Sequence, residues 1–312
     1  MTVLVTGATG LLGRRVVQQL LETNHEVRVM VRRPGSESVL ATPPTDVCYG
    51  DVSNPDALAE ACRDATAVVH LVAVIRGGPR QFDAINRQGA ANVVEAAKAA
   101  GSVKRFIHVS ALGADDRPRL QYLYSKWQGE QAVAGSGLPY VILRPSLIFG
   151  PGDEFTTAVA ALVRTMPIVP VIGSGNNRLQ PIHVDDVARC IALSVSGNIR
   201  GNHTIEIGGP EQLSYNEIVG VVARTLGRKA RRLNVPVWKM SLPVTIMEKL
   251  TPRAPINRAM LQLVTLRNVA EPGSVERAFG FRPRPLYGNI DHVRNITAGQ
   301  AIRINLGLAA GS

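Results

Sequence analysis

Met1-Thr-Val-Leu-Val-Thr-Gly-Ala-Thr-Gly-Leu-Leu-Gly-Arg-Arg15 is the stretch on which the fold turns. Val3 to Thr6 is a short apolar run without polar alternation, as in a strand buried on both faces. Gly7, Gly10 and Gly13 follow, and helical spacing then runs from Leu11 to Leu21. Strand, glycine turn and helix in that order are the context in which a glycine spacing becomes a nucleotide site. Gly7 permits the tight turn, Gly10 lets backbone approach a pyrophosphate, and Gly13 lets the helix pack close to the strand. Phosphates would meet the unpaired N–H groups of Leu11 and Leu12 and the positive end of the helix dipole, with Thr9 beside them. The spacing is G-x-x-G-x-x-G, one residue wider at the start than the dehydrogenase fingerprint G-x-G-x-x-G.

Downstream the chain alternates. Strands are expected at Glu26 to Val31, Asp46 to Tyr49, Ala67 to Ala73, Arg105 to Val109 and Pro139 to Leu143. Helices are expected at Asn54 to Cys62, Phe82 to Ala100 and Leu120 to Val133. Strict alternation of this kind predicts an α/β fold with a Rossmann-type, doubly wound parallel sheet. The expected division is a dinucleotide-binding domain over residues 1–150 and a smaller substrate or partner lobe over 151–312. A strand at His203 to Ile207 would return to the main sheet. Tyr215 to Leu226, Val237 to Leu250 and Arg258 to Leu266 are helical candidates for the lobe, and Ala301 to Ser312 is expected as a weakly anchored tail.

The second strand ends in Arg32-Arg33-Pro34. In a dinucleotide fold the residue at this point reaches the adenosine ribose, an acid holding the 2′-hydroxyl and an arginine accommodating a 2′-phosphate. With two guanidiniums and no carboxylate, NADP(H) is expected over NAD(H); the alternative is a solvated basic turn. The fourth strand ends near Val72 and Ala73, where the ribose and nicotinamide half of a cofactor would lie. Tyr122 and Lys126 are four apart and share one face of a helix. An ammonium there is expected to lower the phenol pKa and make Tyr122 an acid or base beside a carbonyl. Glu130, a further turn on, is a candidate partner for Lys126.

These motifs, with Thr6-Gly7-Ala8-Thr9-Gly10-Leu11-Leu12-Gly13, resemble the extended and atypical branches of the short-chain dehydrogenase/reductase superfamily. The resemblance implies Tyr122 as general acid/base, Lys126 as its partner and ribose anchor, and a hydroxyl just past the fifth strand. Ala111 stands at that last position, with Ser110 one residue early. It also implies an adenine contact from Asp51 and Val52, although Asp51 alternatively begins a turn, and a cofactor contact near Pro145. Asn86 is implied to order its helix, or else is an exposed polar residue. Val72-Ala73-Val74 stands where the family ends its fourth strand in Asn-Ala-Gly, which removes a polar contact. His108-Val-Ser-Ala-Leu-Gly-Ala-Asp115, Arg144 to Phe155 and Pro181 to Ala188 are similar to the NAD(P)-binding accessory subunit of respiratory complex I and its bacterial relatives. That subgroup implies an alternative: NADPH held as a structural, assembly or redox-sensing ligand, with the protein peripheral to a membrane complex.

Composition bounds the rest. The 312 residues are 45% hydrophobic, and no run reaches the ~18 apolar residues of a membrane helix. A transmembrane protein is therefore not expected. Cys48, Cys62 and Cys190 form no disulfide or zinc pattern, and with no leader pattern at Met1 a reducing, cytoplasmic location is expected. His183, Asp185 and Asp186 suit a helix cap at Asp185 better than a metal or an acid–base set. The net charge of +11 is high for an enzyme of small metabolites, and Arg228-Lys-Ala-Arg-Arg232, its densest run, is expected as a solvated loop after a helix, the alternative being a contact for an anionic partner. Aromatics are only 4%, too few for base stacking, so nucleic acid is an unlikely partner. A dinucleotide, an unidentified small-molecule substrate and a protein or anionic surface facing the basic side remain.

Overall fold

The computed structural model describes residues 1–236, 238–239 and 266–308. The helical candidates at Val237 to Leu250 and Arg258 to Leu266 therefore lie outside the described residues, apart from Trp238 and Lys239 of the former and the last position of the latter. Thirteen strands are formed among the described residues: β1 (Thr2–Thr6), β2 (Glu26–Val31), β3 (Asp46–Tyr49), β4 (Ala67–His70), β5 (Arg105–Val109), β6 (Tyr140–Pro145), β7 (Ile148–Phe149), β8 (Ile168–Ile172), β9 (Arg178–Leu179), β10 (Ile182–His183), β11 (His203–Ile207), β12 (Leu213–Ser214) and β13 (Arg231–Val235). The α-helices whose residues are all described are α1 (Leu11–Glu22), α2 (Pro55–Cys62), α3 (Pro79–Phe82), α4 (Gly89–Ala100), α5 (Gln121–Ala134), α6 (Glu154–Thr165), α7 (Val184–Val195), α8 (Tyr215–Thr225), α9 (Ser274–Phe279) and α10 (Ala298–Asn305).

Seven strands make one parallel sheet in the order β11-β6-β5-β4-β1-β2-β3. The order reverses direction at β1/β4, and this switch point is where the carboxyl ends of strands open a crevice for a ligand. β11 joins the far edge, pairing with β6 from His203↔Val141 to Ile207↔Pro145. Val3, Leu4 and Val5 have no exposure at all, in keeping with a strand covered on both faces.

The chain separates into two compact units that interleave in sequence. The first holds Met1–Pro145, Val184–Ile207 and Gly273–Arg282, and the second holds Ser146–His183, Gly208–Pro272 and Pro283–Ser312. In the first, one apolar cluster packs Leu58, Val93, Val94, Phe106 and Val133 beneath the sheet. In the second, α6 and α8 pack through Val159, Val163, Ile218 and Val222 against Val169 and Val171 of β8.

Three sequence expectations are corrected. The fourth strand stops at His70 rather than Ala73, because the backbone from Leu71 bends past Gly7. The helix expected from Phe82 begins at Pro79 and carries a π-helical stretch, Asp83–Gln88, between α3 and α4. The expected tail is helical in its first half. Thr297 and Gln300 form a capping box, Ala301 is fully buried, and Asn305 donates to Thr165 Oγ1 at 2.7 Å.

Candidate active site and dinucleotide cradle

The glycine turn sits at the switch point. Gly7 has φ +81°, and a Cβ on it would lie 3.1 Å from the Val72 nitrogen, so only glycine fits beside the strand leaving β4. A Cβ on Gly13 would stand 2.2 Å from the Gly7 carbonyl oxygen, which fixes how closely α1 approaches the turn. Gly10 N–H donates to the Gly7 carbonyl at 3.1 Å, and Gly10 is the N-cap of α1. No side chain caps that terminus and no acid occupies its first turn, so the N–H groups at Leu11 and Leu12 face outward for an anion. Thr9 is exposed beside them, and these residues fit the pyrophosphate of a dinucleotide.

Arg32 and Arg33 follow β2 and are exposed. Among the described residues neither guanidinium takes an ion-pair partner, and the Arg33 carbonyl accepts the Ser36 N–H at 3.2 Å to form a turn. Asp51 forms the turn that the sequence left open: its carboxylate accepts from Ser53 N–H at 3.0 Å and Ser53 Oγ at 2.8 Å. Val52 is buried with its side chain in the core, and its carbonyl accepts from Asn92 Nδ2 at 2.8 Å. Val72 is half-buried and Ala73 exposed beside Gly7.

Asn86, raised on the π-helical stretch, is buried rather than exposed. Its Oδ1 accepts from Val74 N–H at 2.8 Å, and its Nδ2 donates to the Val74 carbonyl and to Ser125 Oγ, both at 3.0 Å. Ser125 Oγ donates in turn to the Tyr122 carbonyl at 2.7 Å. One amide thus ties the segment leaving β4 to the turn of α5 that carries the tyrosine. Asn86→Ala is expected to cost about 2–3 kcal/mol, because it strands the Val74 groups without partners; urea unfolding measures it.

Lys126 is almost wholly buried, and its Nζ donates to the Val109 carbonyl at 2.8 Å. Burial lowers its pKa to about 8, with the Glu130 charge opposing. Burial also raises the Tyr122 phenol to about 12, so the lowering expected from the ammonium does not occur. The Tyr122 ring stands edge-on to Phe82 with centroids 6.0 Å apart. Glu130 does not pair with Lys126. Arg144 takes it instead through two hydrogen bonds, Nε to Oε1 at 2.9 Å and Nη2 to Oε2 at 2.6 Å. The geometry is bidentate and planar, which arginine reaches and lysine cannot.

Ser110 is buried at the end of β5, and its Oγ has no hydrogen-bond partner. Pro145 closes β6, and its carbonyl accepts the Leu112 N–H at 2.9 Å, holding the turn after β5 in place. Asp185 lies inside the first turn of α7 rather than capping it, and pairs with Arg15 at 3.4 Å.

The sequence reading missed a polar row across the sheet. Register aligns Thr6 with His70 and His70 with His108. Thr6 Oγ1 lies 2.8 Å from His70 Nδ1, a hydrogen bond whose direction follows the imidazole tautomer. The two imidazoles stack with centroids 5.4 Å apart. Burial drives both pKa values down, His70 to about 3, and the Lys126 charge adds to the effect. A histidine near the end of each of two largely apolar strands was the available signal.

A parallel sheet with a glycine cradle at its switch point and a tyrosine–lysine pair on the helix after β5 defines a dinucleotide-dependent class of α/β protein. The chain belongs to the NAD dependent epimerase/dehydratase family, whose pattern residues 3–208 match. It is 33% identical to a ceramide reductase of Caulobacter vibrioides over 75% of this chain and 73% of that protein. It is 29% identical to NADH dehydrogenase [ubiquinone] 1 alpha subcomplex subunit 9 of Arabidopsis thaliana, over 74% of this chain and 60% of that one. Among solved structures, MoeE5 in complex with UDP-glucose and NAD superposes with a TM-score of 0.70 at 25% identity, covering 91% of this chain and 94% of that one.

Proposed function

We propose that this chain binds a nicotinamide dinucleotide, NADP(H) in preference to NAD(H), and acts as a reductase or dehydrogenase on a carbonyl or alcohol. An epimerase or dehydratase that passes a hydride transiently uses the same parts. The observation that carries the reading is Lys126, buried and fixed to the Val109 carbonyl one turn from Tyr122 on α5. A nicotinamide dinucleotide supplies or accepts the hydride. The chain's own residues do the rest: the α1 terminus orients the phosphates, Tyr122 Oη holds the proton given to or taken from the substrate oxygen, and Lys126 stabilises the phenolate. Arg32 and Arg33, unpaired among the described residues at the end of β2, supply the charge for a 2′-phosphate.

One observation favours a second reading. The Tyr122 phenol, raised to about 12, is a weak acid, and Ser110 Oγ is buried away from a substrate. NADPH would then serve as a structural or redox-sensing ligand.

Fluorescence titration of the purified protein with NADPH and NADH tests the cofactor proposal. NADPH is expected to bind at least about tenfold more tightly, the value of one good charge-assisted contact. Replacing Arg32 and Arg33 together by Ala should erase the preference without weakening NADH. Equal affinities in the wild type would overturn the 2′-phosphate argument while leaving the cradle intact.

A further inference from the structure

The second unit carries a surface on which basic and apolar side chains gather. β8 and β13 form a two-stranded parallel ribbon whose register places Arg231 beside Ile168 and Leu233 beside Pro170. Val169 and Val171 turn into the core, so Ile168 and Leu233 turn outward, 47% and 58% exposed. Isoleucine and leucine on a ribbon of this size would ordinarily be covered. Lys229, next to the ribbon, is exposed, and neither it nor Arg231 has an ion-pair partner among the described residues.

The surface continues at the end of α6. Met166, which ends that helix, is exposed. Arg228 Nη1 donates to the Arg164 carbonyl at 2.6 Å, and Asn305 of α10 donates to Thr165 Oγ1 at 2.7 Å. These bonds bring the start of β13 and the end of α10 to the same helix terminus. Ile302 of α10 and Leu306, the residue that caps its C-terminus, are both more than half exposed, with Arg303 alongside. The three stretches that build the surface, Phe155 to Val184, Ile218 to Val235 and His292 to Leu308, contain no Asp or Glu.

We propose that this surface seats the protein on an anionic lipid bilayer. Charge complementarity selects the anion, since Lys229 and Arg231, without ion-pair partners among the described residues, attract a negative partner. The apolar side chains choose the bilayer over an acidic protein. They protrude singly from a ribbon and a helix end rather than lining a groove shaped for a complementary partner. Protruding aliphatic groups among Arg and Lys are the pair of signals that peripheral binding requires, each too weak alone. The inference is independent of the chemistry proposed above, because none of these residues belongs to the cradle or to α5.

Co-sedimentation of the full chain with vesicles tests it. Uptake is expected on phosphatidylcholine vesicles containing phosphatidylserine and not on pure phosphatidylcholine, and raising the salt should weaken it. Lys229→Glu with Arg231→Glu should weaken uptake at least about 25-fold, roughly fivefold for each cation lost. Leu233→Ser with Leu306→Ser should weaken it even at high salt. Unchanged thermal melting and nucleotide titration establish that the variants are folded. No uptake on phosphatidylserine vesicles would overturn the proposal, as would uptake indifferent to the charge reversals or to the leucine changes. Retention by poly-L-glutamate with no vesicle uptake would point to an acidic protein partner and overturn it equally.

Discussion

Acidification below about pH 6.5 is expected to destabilise the protein by up to ~2.7 kcal/mol per pH unit, because two histidines that the unfolded chain protonates stay neutral in the fold. His70 and His108 are buried in the middle of the sheet, stacked on one another and close to the Lys126 ammonium. Charging either one would place an unsolvated cation beside another. Burial is the larger cause and the neighbouring charges the smaller, and together they bring His70 down to about 3. The sign follows from proton counts. Above about pH 6.5 neither state binds the extra protons and stability is at its full value. Below that, the unfolded chain holds two that the folded chain refuses, His70 doing so down to about 3, so stability falls as pH falls. Lys126 acts in a separate window above about pH 8, and Glu217 and Asp83, both held below their ordinary values, matter only at lower pH. Urea midpoints between pH 7.5 and 5 therefore read the histidine pair, with a smaller contribution of the same sign from His25, whose pKa is lowered by partial burial and by the N-terminal charge. His108→Phe should reduce the slope by up to ~1.4 kcal/mol per pH unit, and because both His108 ring nitrogens are buried without partners, it should not lower stability at pH 7.5 by more than about 1 kcal/mol. An unchanged slope would assign the acid sensitivity elsewhere.

That pair also marks the limit of what was legible in the sequence. Gly7, Gly10 and Gly13 were readable because a turn's needs are local, and so was each strand and helix whose period shows within a dozen residues. His70 and His108 lie 38 positions apart, and only the register of β4 on β5 makes them neighbours. Glu130 was assigned to Lys126 by helical spacing. The bidentate fork of Arg144, arriving from β6, has the better geometry and takes it. The π-helical stretch that turns Asn86 inward leaves the apolar period nearly intact and gives no local sign. Helix α10 was a different case. Its Thr297 and Gln300 are a capping box at the expected spacing, so the signal was present and only the position near the chain's end argued against it. The units interleave because β11 and α9 return to the first after the chain has entered the second, a matter of tertiary contact that no sequence window contains.

Tyr122→Phe is expected to lower turnover of any carbonyl compound the wild type reduces by about 10²–10⁴, while leaving dinucleotide binding and stability nearly unchanged. The structure makes this a clean substitution. No described residue forms a hydrogen bond with Tyr122 Oη, so its removal strands no partner, and the edge-on packing against Phe82 is kept by a phenylalanine ring. The phenol's high pKa in the isolated fold sets the magnitude. A group raised to about 12 donates a proton readily only when the product alkoxide is more basic, and serves as a base only with a cation beside it. Lys126 is the one buried cation on its helix face, which makes Lys126→Met the companion variant. It should lower turnover as far and also weaken dinucleotide binding, whereas Tyr122→Phe should not, and single-turnover rates with binding titrations separate the two. If Tyr122→Phe retains full turnover, the phenol is not the acid and another group on the site carries the proton; a wild type that binds the dinucleotide and turns over no carbonyl compound would instead describe a fold that keeps its cradle for binding alone.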